Sequence, residues 1–261
     1  MAFLECHFHS DALAKACAMN VVVPQVSATQ IGMDSAATAG RRDYPVLYLL
    51  HGLSDDQSIW MRRTSIERYA SQYQLVVVMP DGGRSFYTDM EAGLRYWTFL
   101  SEELPAIVAQ LFPVSTRRED TFAAGLSMGG YGAFKLALRR PDRFAGAVAL
   151  SAVADIREWV ESIGDKRENA WIFGSAAELA PRGNDLFALA EGAVKAACPP
   201  RLMQVCGTED SLYGGNQRLR RHLEALRFPG YRYAEGPGNH TWEFWDLWIQ
   251  EGLRFLLKPQ D

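Results

Sequence analysis

No stretch of this chain approaches the roughly 20 consecutive apolar residues that a membrane-crossing helix needs, and no run of lysine or arginine appears anywhere in it. The first absence excludes a spanning helix. The second, with a formal charge of −4, argues against a binder of phosphate backbones. Arg139-Arg140 and Arg220-Arg221 are isolated pairs and read as solvated helix faces. Cysteine is sparse. Cys6, Cys17, Cys198 and Cys206 have no CxxC spacing and read as reduced, mostly buried thiols. A Cys6–Cys17 bridge across an N-terminal hairpin is geometrically open but is not expected. Met1–Ser10 carries no basic leader or long apolar core, so no signal peptide is read and a cytoplasmic location is expected. Internal repeats and low-complexity tracts are also lacking.

Hydrophobic residues make up 48% of the 261 positions, which predicts a packed globule, read here as one domain over 1–261. Phe3–His9 and Cys17–Pro24 are rich in strand formers around a polar turn and predict an antiparallel pair. Ser27–Arg42 is small, polar and glycine-containing, and reads as an exposed loop. Pro45–Leu50, Leu75–Met79, Phe144–Leu150 and Arg201–Cys206 are short, uninterrupted apolar runs. Such runs, without alternation, indicate strands buried on both faces of a largely parallel sheet. Helical stretches fall between them at about Ser58–Tyr73, Leu100–Phe112, Met128–Arg140 and Gly215–Leu226. The βαβα alternation predicts an α/β fold, a three-layer sandwich. Residues 155–200 depart from it, with Trp159, Trp171 and Phe173 among charged and glycine-containing segments, and read as a small cap-like insertion. Its place is either over the carboxyl ends of the sheet or against the sheet edge.

The most informative segment is Gly125-Leu126-Ser127-Met128-Gly129. The apolar run Thr121–Ala124 precedes this G-x-S-x-G pattern, and a small, apolar, helix-compatible run follows it. Strand, sharp turn and helix in that order would hold Ser127 on a strained turn with its hydroxyl exposed at the strand's end. A serine hydroxyl needs a base to become nucleophilic, and only five histidines exist. His7 and His9 lie in the predicted hairpin, and an H-x-H pair with no third ligand makes a poor metal site. His222 reads as solvent-exposed and His51 as a structural anchor. His240 sits in the loop Glu235–His240 just before a C-terminal helix, which suits a base reaching across to the serine. Asp210, directly after the Arg201–Cys206 strand, is the preferred carboxylate to orient that base. Glu209 is its neighbouring alternative and Asp155 a remoter one, while Glu243 and Asp246 are expected to face solvent. The backbone N–H groups of Leu53 and Met128 are the expected donors to an oxyanion. Trp242, Trp245 and Trp248 at helical spacing read as the core face of a helix that holds His240.

These segments together resemble the esterase D-like branch of the α/β-hydrolase superfamily, and within it bacterial tributyrin esterases. The likeness is carried by Phe8–Leu13, His51-Gly52-Leu53-Ser54, Val78–Gly82, Ser85–Asp89, Glu102–Pro105, Gly125–Gly132 and Gly207–Asp210. It implies a serine carboxylesterase acting on short-chain acyl esters, with Ser127, Asp210 and His240 as the triad. It implies no metal or organic cofactor, a small-molecule ester as partner, and a homodimer or homotetramer. Relatives that cleave feruloyl or acetyl groups from plant polysaccharides, or hydrolyse S-formylglutathione, supply the alternatives. An acyltransferase and a non-catalytic binding module stand further off. Phe86 and Tyr87, in the Ser85–Asp89 run, are expected to border the substrate pocket together with Trp159.

Overall fold

The computed structural model describes residues 1–29, 31 and 38–257. Part of the expected Ser27–Arg42 loop therefore lies outside the described residues.

Among the described residues eight strands form one sheet: β1 (Ala2–Ser10), β2 (Lys15–Val23), β3 (Val46–Leu50), β4 (Val76–Pro80), β5 (Thr121–Leu126), β6 (Gly146–Leu150), β7 (Arg201–Gly207) and β8 (Tyr231–Gly236). Their order is β1-β2-β4-β3-β5-β6-β7-β8. The β1–β2 and β2–β4 pairings are antiparallel and the rest parallel. This is the mostly parallel α/β-hydrolase sheet with an antiparallel N-terminal pair that the sequence predicts. Strand alternation divides the apolar side chains between two cores. Val46, Tyr48 and Leu50 point into one, Leu47 and Leu49 into the other. Helices α1 (Ile59–Arg63), α2 (Ile66–Ser71) and α10 (Trp242–Leu257) cover the second core. Helices α4 (Leu104–Leu111), α5 (Met128–Arg139), α8 (Leu186–Ala193) and α9 (Tyr213–Ala225) cover the first. Short α3 (Tyr96–Thr98), α6 (Ile156–Glu158) and α7 (Lys166–Phe173) complete the set used below.

Two expected helices are interrupted, each by one residue's chemistry. The Ser58–Tyr73 stretch breaks because Thr64 turns its hydroxyl back to the Trp60 carbonyl (2.6 Å) and accepts the Ile66 N–H (3.1 Å). That hydroxyl ends α1 and starts α2. Before α4 the chain makes a π turn over Phe99–Glu103. Pro105 has no N–H to return to the Ser101 carbonyl, and that carbonyl accepts from Arg143 Nη1 instead (3.2 Å).

The hairpin turn explains two of the segments behind the resemblance. Glu103 accepts the Ser10 hydroxyl, the Asp11 N–H (2.6 Å) and the Ala12 N–H (3.3 Å). Phe8–Leu13 and Glu102–Pro105 thus meet as a turn and its carboxylate clamp. All four cysteines are free thiols. Cys6 lies opposite Met19 and Cys17 opposite Phe8, a diagonal rather than a facing pair.

Candidate active site

The G-x-S-x-G segment folds as a strand-to-helix elbow. Ser127 follows β5 at φ 53°, ψ −117° and caps α5. A non-glycine residue at such a φ is strained and persists only where its surroundings enforce it. Here they do, through close backbone approach. A Cβ at Gly129 would stand 2.3 Å from the Leu50 carbonyl oxygen, and one at Gly125 2.4 Å from the Gly129 backbone. Both glycines are required by space. The Ser127 hydroxyl makes no hydrogen bond among the described residues; nucleophile–base contacts commonly tighten only when substrate arrives.

Because β5, β6, β7 and β8 run parallel, their following residues gather along one edge. Asp210 comes three residues after β7 and His240 four after β8. The two loops are pressed together: Glu209 N–H donates to the Gly238 carbonyl (3.1 Å), and a Cβ at Gly207 would meet that oxygen at 2.2 Å. The His240 Nδ1–Asp210 Oδ2 distance is 2.9 Å. Burial pushes the Asp210 carboxyl up. The hydrogen bond to His240, the Leu212 N–H (2.8 Å) and the nearby imidazole outweigh it and hold the group below the usual carboxylate range. Trp245 of α10 packs its ring edge-on against His240, centroids 4.8 Å apart, with Trp242 behind it at 5.2 Å.

Glu209, the alternative carboxylate, points elsewhere. It is exposed and accepts the Thr208 hydroxyl (2.8 Å) and the Gly238 N–H, so it clasps the histidine loop from outside. Asp155 caps α6 and pairs with Arg218 at 2.7 Å. Asp246, expected to face solvent, is half-buried and accepts the Tyr69 hydroxyl at 2.9 Å. His222, expected to be exposed, is half-buried and reaches the Phe187 carbonyl at 3.2 Å. Both differences arise where helices cover the sheet, which helical periodicity alone does not resolve. His7 and His9 are exposed on β1. No group of three or more His, Cys, Asp or Glu side chains among the described residues is arranged to hold a metal.

Leu53, in the loop after β3, and Met128, which opens α5, are the expected oxyanion donors. Neither backbone N–H donates to an acceptor among the described residues. For Met128 this follows from its place at the first turn of α5, whose leading N–H groups have no intrahelical partner. The Leu53 loop is fixed by His51, which is buried. Its Nε2 accepts the Gly82 N–H (2.8 Å), so Nδ1 carries the proton and donates to the Gly52 carbonyl at 2.7 Å. The Tyr87 hydroxyl donates to the His51 carbonyl (2.9 Å), and Arg84, paired with Glu168 of α7, reaches the Leu53 carbonyl at 3.4 Å. These supports carry no sequence signal beyond the residue types themselves.

Phe86 and Tyr87 are interior, 0% and 1% exposed, rather than on a pocket surface. Consecutive φ values of 49° and 51° turn the chain inward there. Phe86 packs on Tyr131, Phe173 and Trp159 at centroid distances of 5.8, 5.3 and 5.6 Å. Trp159 is half-buried and is the one of the three that keeps an open face.

The sequence matches the family described as "Putative esterase" over residues 34–256. An acetyl esterase of Caldicellulosiruptor saccharolyticus is 29% identical over the whole of both chains. Among solved structures, the fluorophosphonate-binding serine hydrolase F of Staphylococcus aureus, with substrate bound, is 34% identical and superposes with a TM-score of 0.87, covering 99% of each chain. The S-formylglutathione hydrolase FrmB of the same organism is also 34% identical, TM-score 0.84, over 98% of this chain and 99% of that one.

Proposed function

The chain belongs to this esterase family of the α/β-hydrolase fold, and on that premise we propose that it is a serine carboxylesterase cleaving short-chain acyl esters through an acyl-enzyme on Ser127. The observation that carries the reading is the His240–Asp210 hydrogen bond at the sheet edge where the strained Ser127 elbow also ends.

In this mechanism His240 Nε2 takes the Ser127 hydroxyl proton as Oγ attacks the ester carbonyl carbon. Asp210, accepting from Nδ1, fixes the tautomer that leaves Nε2 free and stabilises the imidazolium. The tetrahedral oxyanion forms against the Leu53 and Met128 N–H groups, which have no acceptor among the described residues to give up. A donor of this kind is worth about 3–4 kcal/mol of transition-state stabilisation. The C–O bond to the alcohol then breaks, and His240 returns the proton to the departing oxygen. Water, deprotonated by the same nitrogen, attacks the acyl carbon and releases the acid and the serine. Trp159 forms a wall of the substrate site. Residues 155–200 act as a small cap on a single domain spanning 1–261.

The 34% identity with the S-formylglutathione hydrolase FrmB favours a formyl thioester as the second substrate reading. One experiment separates the readings. Nitrophenyl esters from acetyl to decanoyl, and S-formylglutathione, are assayed with wild type and Ser127→Ala. Turnover highest from acetyl to butyryl and absent in the variant is the expected result. A folded wild type that turns over only the thioester replaces the first reading with the second. One that turns over neither rejects both.

A further inference from the structure

At the opposite end of the sheet from the Ser127 elbow, α4 crosses the amino ends of β3 and β5. It presents Pro105, half-buried, and Ala106 and Ala109, both exposed, and a solvent-open cavity of about 200 Å³ lies between them and the sheet. Val46 and Val114 complete its apolar walls, and Thr121 lines its floor. Thr121 opens β5 and Ser127 follows its last residue, which separates the two places by about 20 Å at roughly 3.3 Å per strand residue.

Two donors face this apolar space without a matching acceptor. Tyr48 lines the cavity and is 2% exposed, yet its hydroxyl has no hydrogen-bond partner among the described residues. The ring is buried while the hydroxyl opens onto the cavity. Arg143 lines it as well. Its guanidinium makes a single hydrogen bond, to the Ser101 carbonyl that Pro105 leaves free (3.2 Å), and forms no ion pair among the described residues. The adjacent carboxylate, Asp142, is turned away onto Arg140 through two bonds of 3.0 and 2.9 Å. The Ser115 hydroxyl is committed to Asp120 at 2.6 Å, while Thr116 stands exposed at the rim with its hydroxyl uncommitted among the described residues.

We propose that this cavity is a binding site for a monocarboxylate with a short aliphatic tail, its carboxylate held by Arg143 and Tyr48 and its chain lying along Val46, Val114 and Ala109. A guanidinium matches a carboxylate through two parallel bonds. A phosphate dianion fits less well, because Arg143 is the one cationic side chain among the described residues lining the cavity and the Asp120 carboxylate stands just behind Ser115. The proposal stands independently of the reaction assigned to Ser127.

Calorimetric titration of the wild-type protein with straight-chain carboxylates from propanoate to hexanoate tests it. Affinity should rise about fourfold per methylene. Arg143→Gln should weaken hexanoate binding about 10- to 100-fold and Tyr48→Phe about 3- to 10-fold, as expected for a charged and a neutral hydrogen bond. Ala109→Leu, which fills the space from a helix-compatible position, should abolish binding while melting temperature and ester turnover stay at wild-type values. It keeps the test open if Arg143→Gln fails to fold. Hexan-1-ol should bind at least about tenfold more weakly than hexanoate. The proposal is overturned if hexanoate does not saturate, if Ala109→Leu binds it as wild type does, or if inorganic phosphate displaces it.

Discussion

The imidazole of His240 is 30% exposed and the carboxylate of Asp210 that it contacts at 2.9 Å is fully enclosed. That asymmetry suits a base that must meet substrate on one side and be held rigidly on the other. Asp210→Asn keeps the shape but offers an amide where the ring's N–H needs an acceptor, so the ring is held in the wrong tautomer. The expected outcome is a loss of roughly 10³–10⁴ in kcat with KM little changed. Ser127→Ala should lose more. Side-by-side steady-state kinetics check this, and an Asp210→Asn enzyme near wild-type rate would place the orienting acid elsewhere.

Glu209 provides the control. Its carboxylate holds the Gly238 N–H and the Thr208 hydroxyl from the solvent side and does not touch the imidazole. Glu209→Gln keeps an oxygen acceptor for both contacts, so kcat should fall by less than about tenfold. A loss as deep as that of Asp210→Asn would mean that the two carboxylates exchange roles during turnover.

How much of this was legible beforehand depended on the kind of signal. Strands β3 to β7 stand out because both of their faces are buried, which writes an unbroken apolar run into the sequence. The Asp210–His240 contact was readable for the same reason: parallel strands carry the residues that follow them to one edge. The breaks at Thr64 and Pro105 leave apolar periodicity intact and were not visible in it, although each rests on one residue. Phe86 and Tyr87 were misjudged because two successive left-handed conformations in non-glycine residues reverse where the aromatics point. The Ser85 hydroxyl, accepting the Tyr87 N–H, holds the turn locally, and Lys135 and His51, distant in sequence, hold Tyr87 from both ends.

Glu103 bears on the hairpin rather than the reaction. It receives one hydroxyl and two backbone N–H groups from the β1–β2 turn, a carboxylate cradled by three donors from about ninety residues away. Replacing it by alanine should destabilise the protein by about 1.5–3 kcal/mol, the scale of hydrogen bonds to a charged group, with specific activity of the folded fraction unchanged. Urea unfolding followed alongside esterase activity separates the two effects. Parallel loss of activity from protein that remains fully folded would show that the hairpin communicates with the site.

Lys135 offers a pH test of the interior. Its ammonium is buried on α5, donates to the Tyr87 carbonyl (3.1 Å) and the Thr88 hydroxyl (2.8 Å), and faces the rings of Trp97 and Tyr131. No carboxylate contacts it among the described residues. Burial, reinforced by the charge of Arg139, pushes its pKa well below the ordinary lysine value. The unfolded chain, titrating near 10.4, therefore binds more protons than the folded one between the lowered folded value and that point. Stability must rise with pH across this window, by up to about 1.4 kcal/mol per unit, and be flat with respect to this group on either side. Lys135→Met removes the titration while nearly conserving the side-chain length. The difference in unfolding free energy between wild type and variant should then shift in favour of wild type as pH rises from the lowered folded value toward the unfolded one. If the two curves stay parallel, the lysine remains protonated in the fold, and the two oxygens and two aromatic faces around it are enough to hold a full charge in the core.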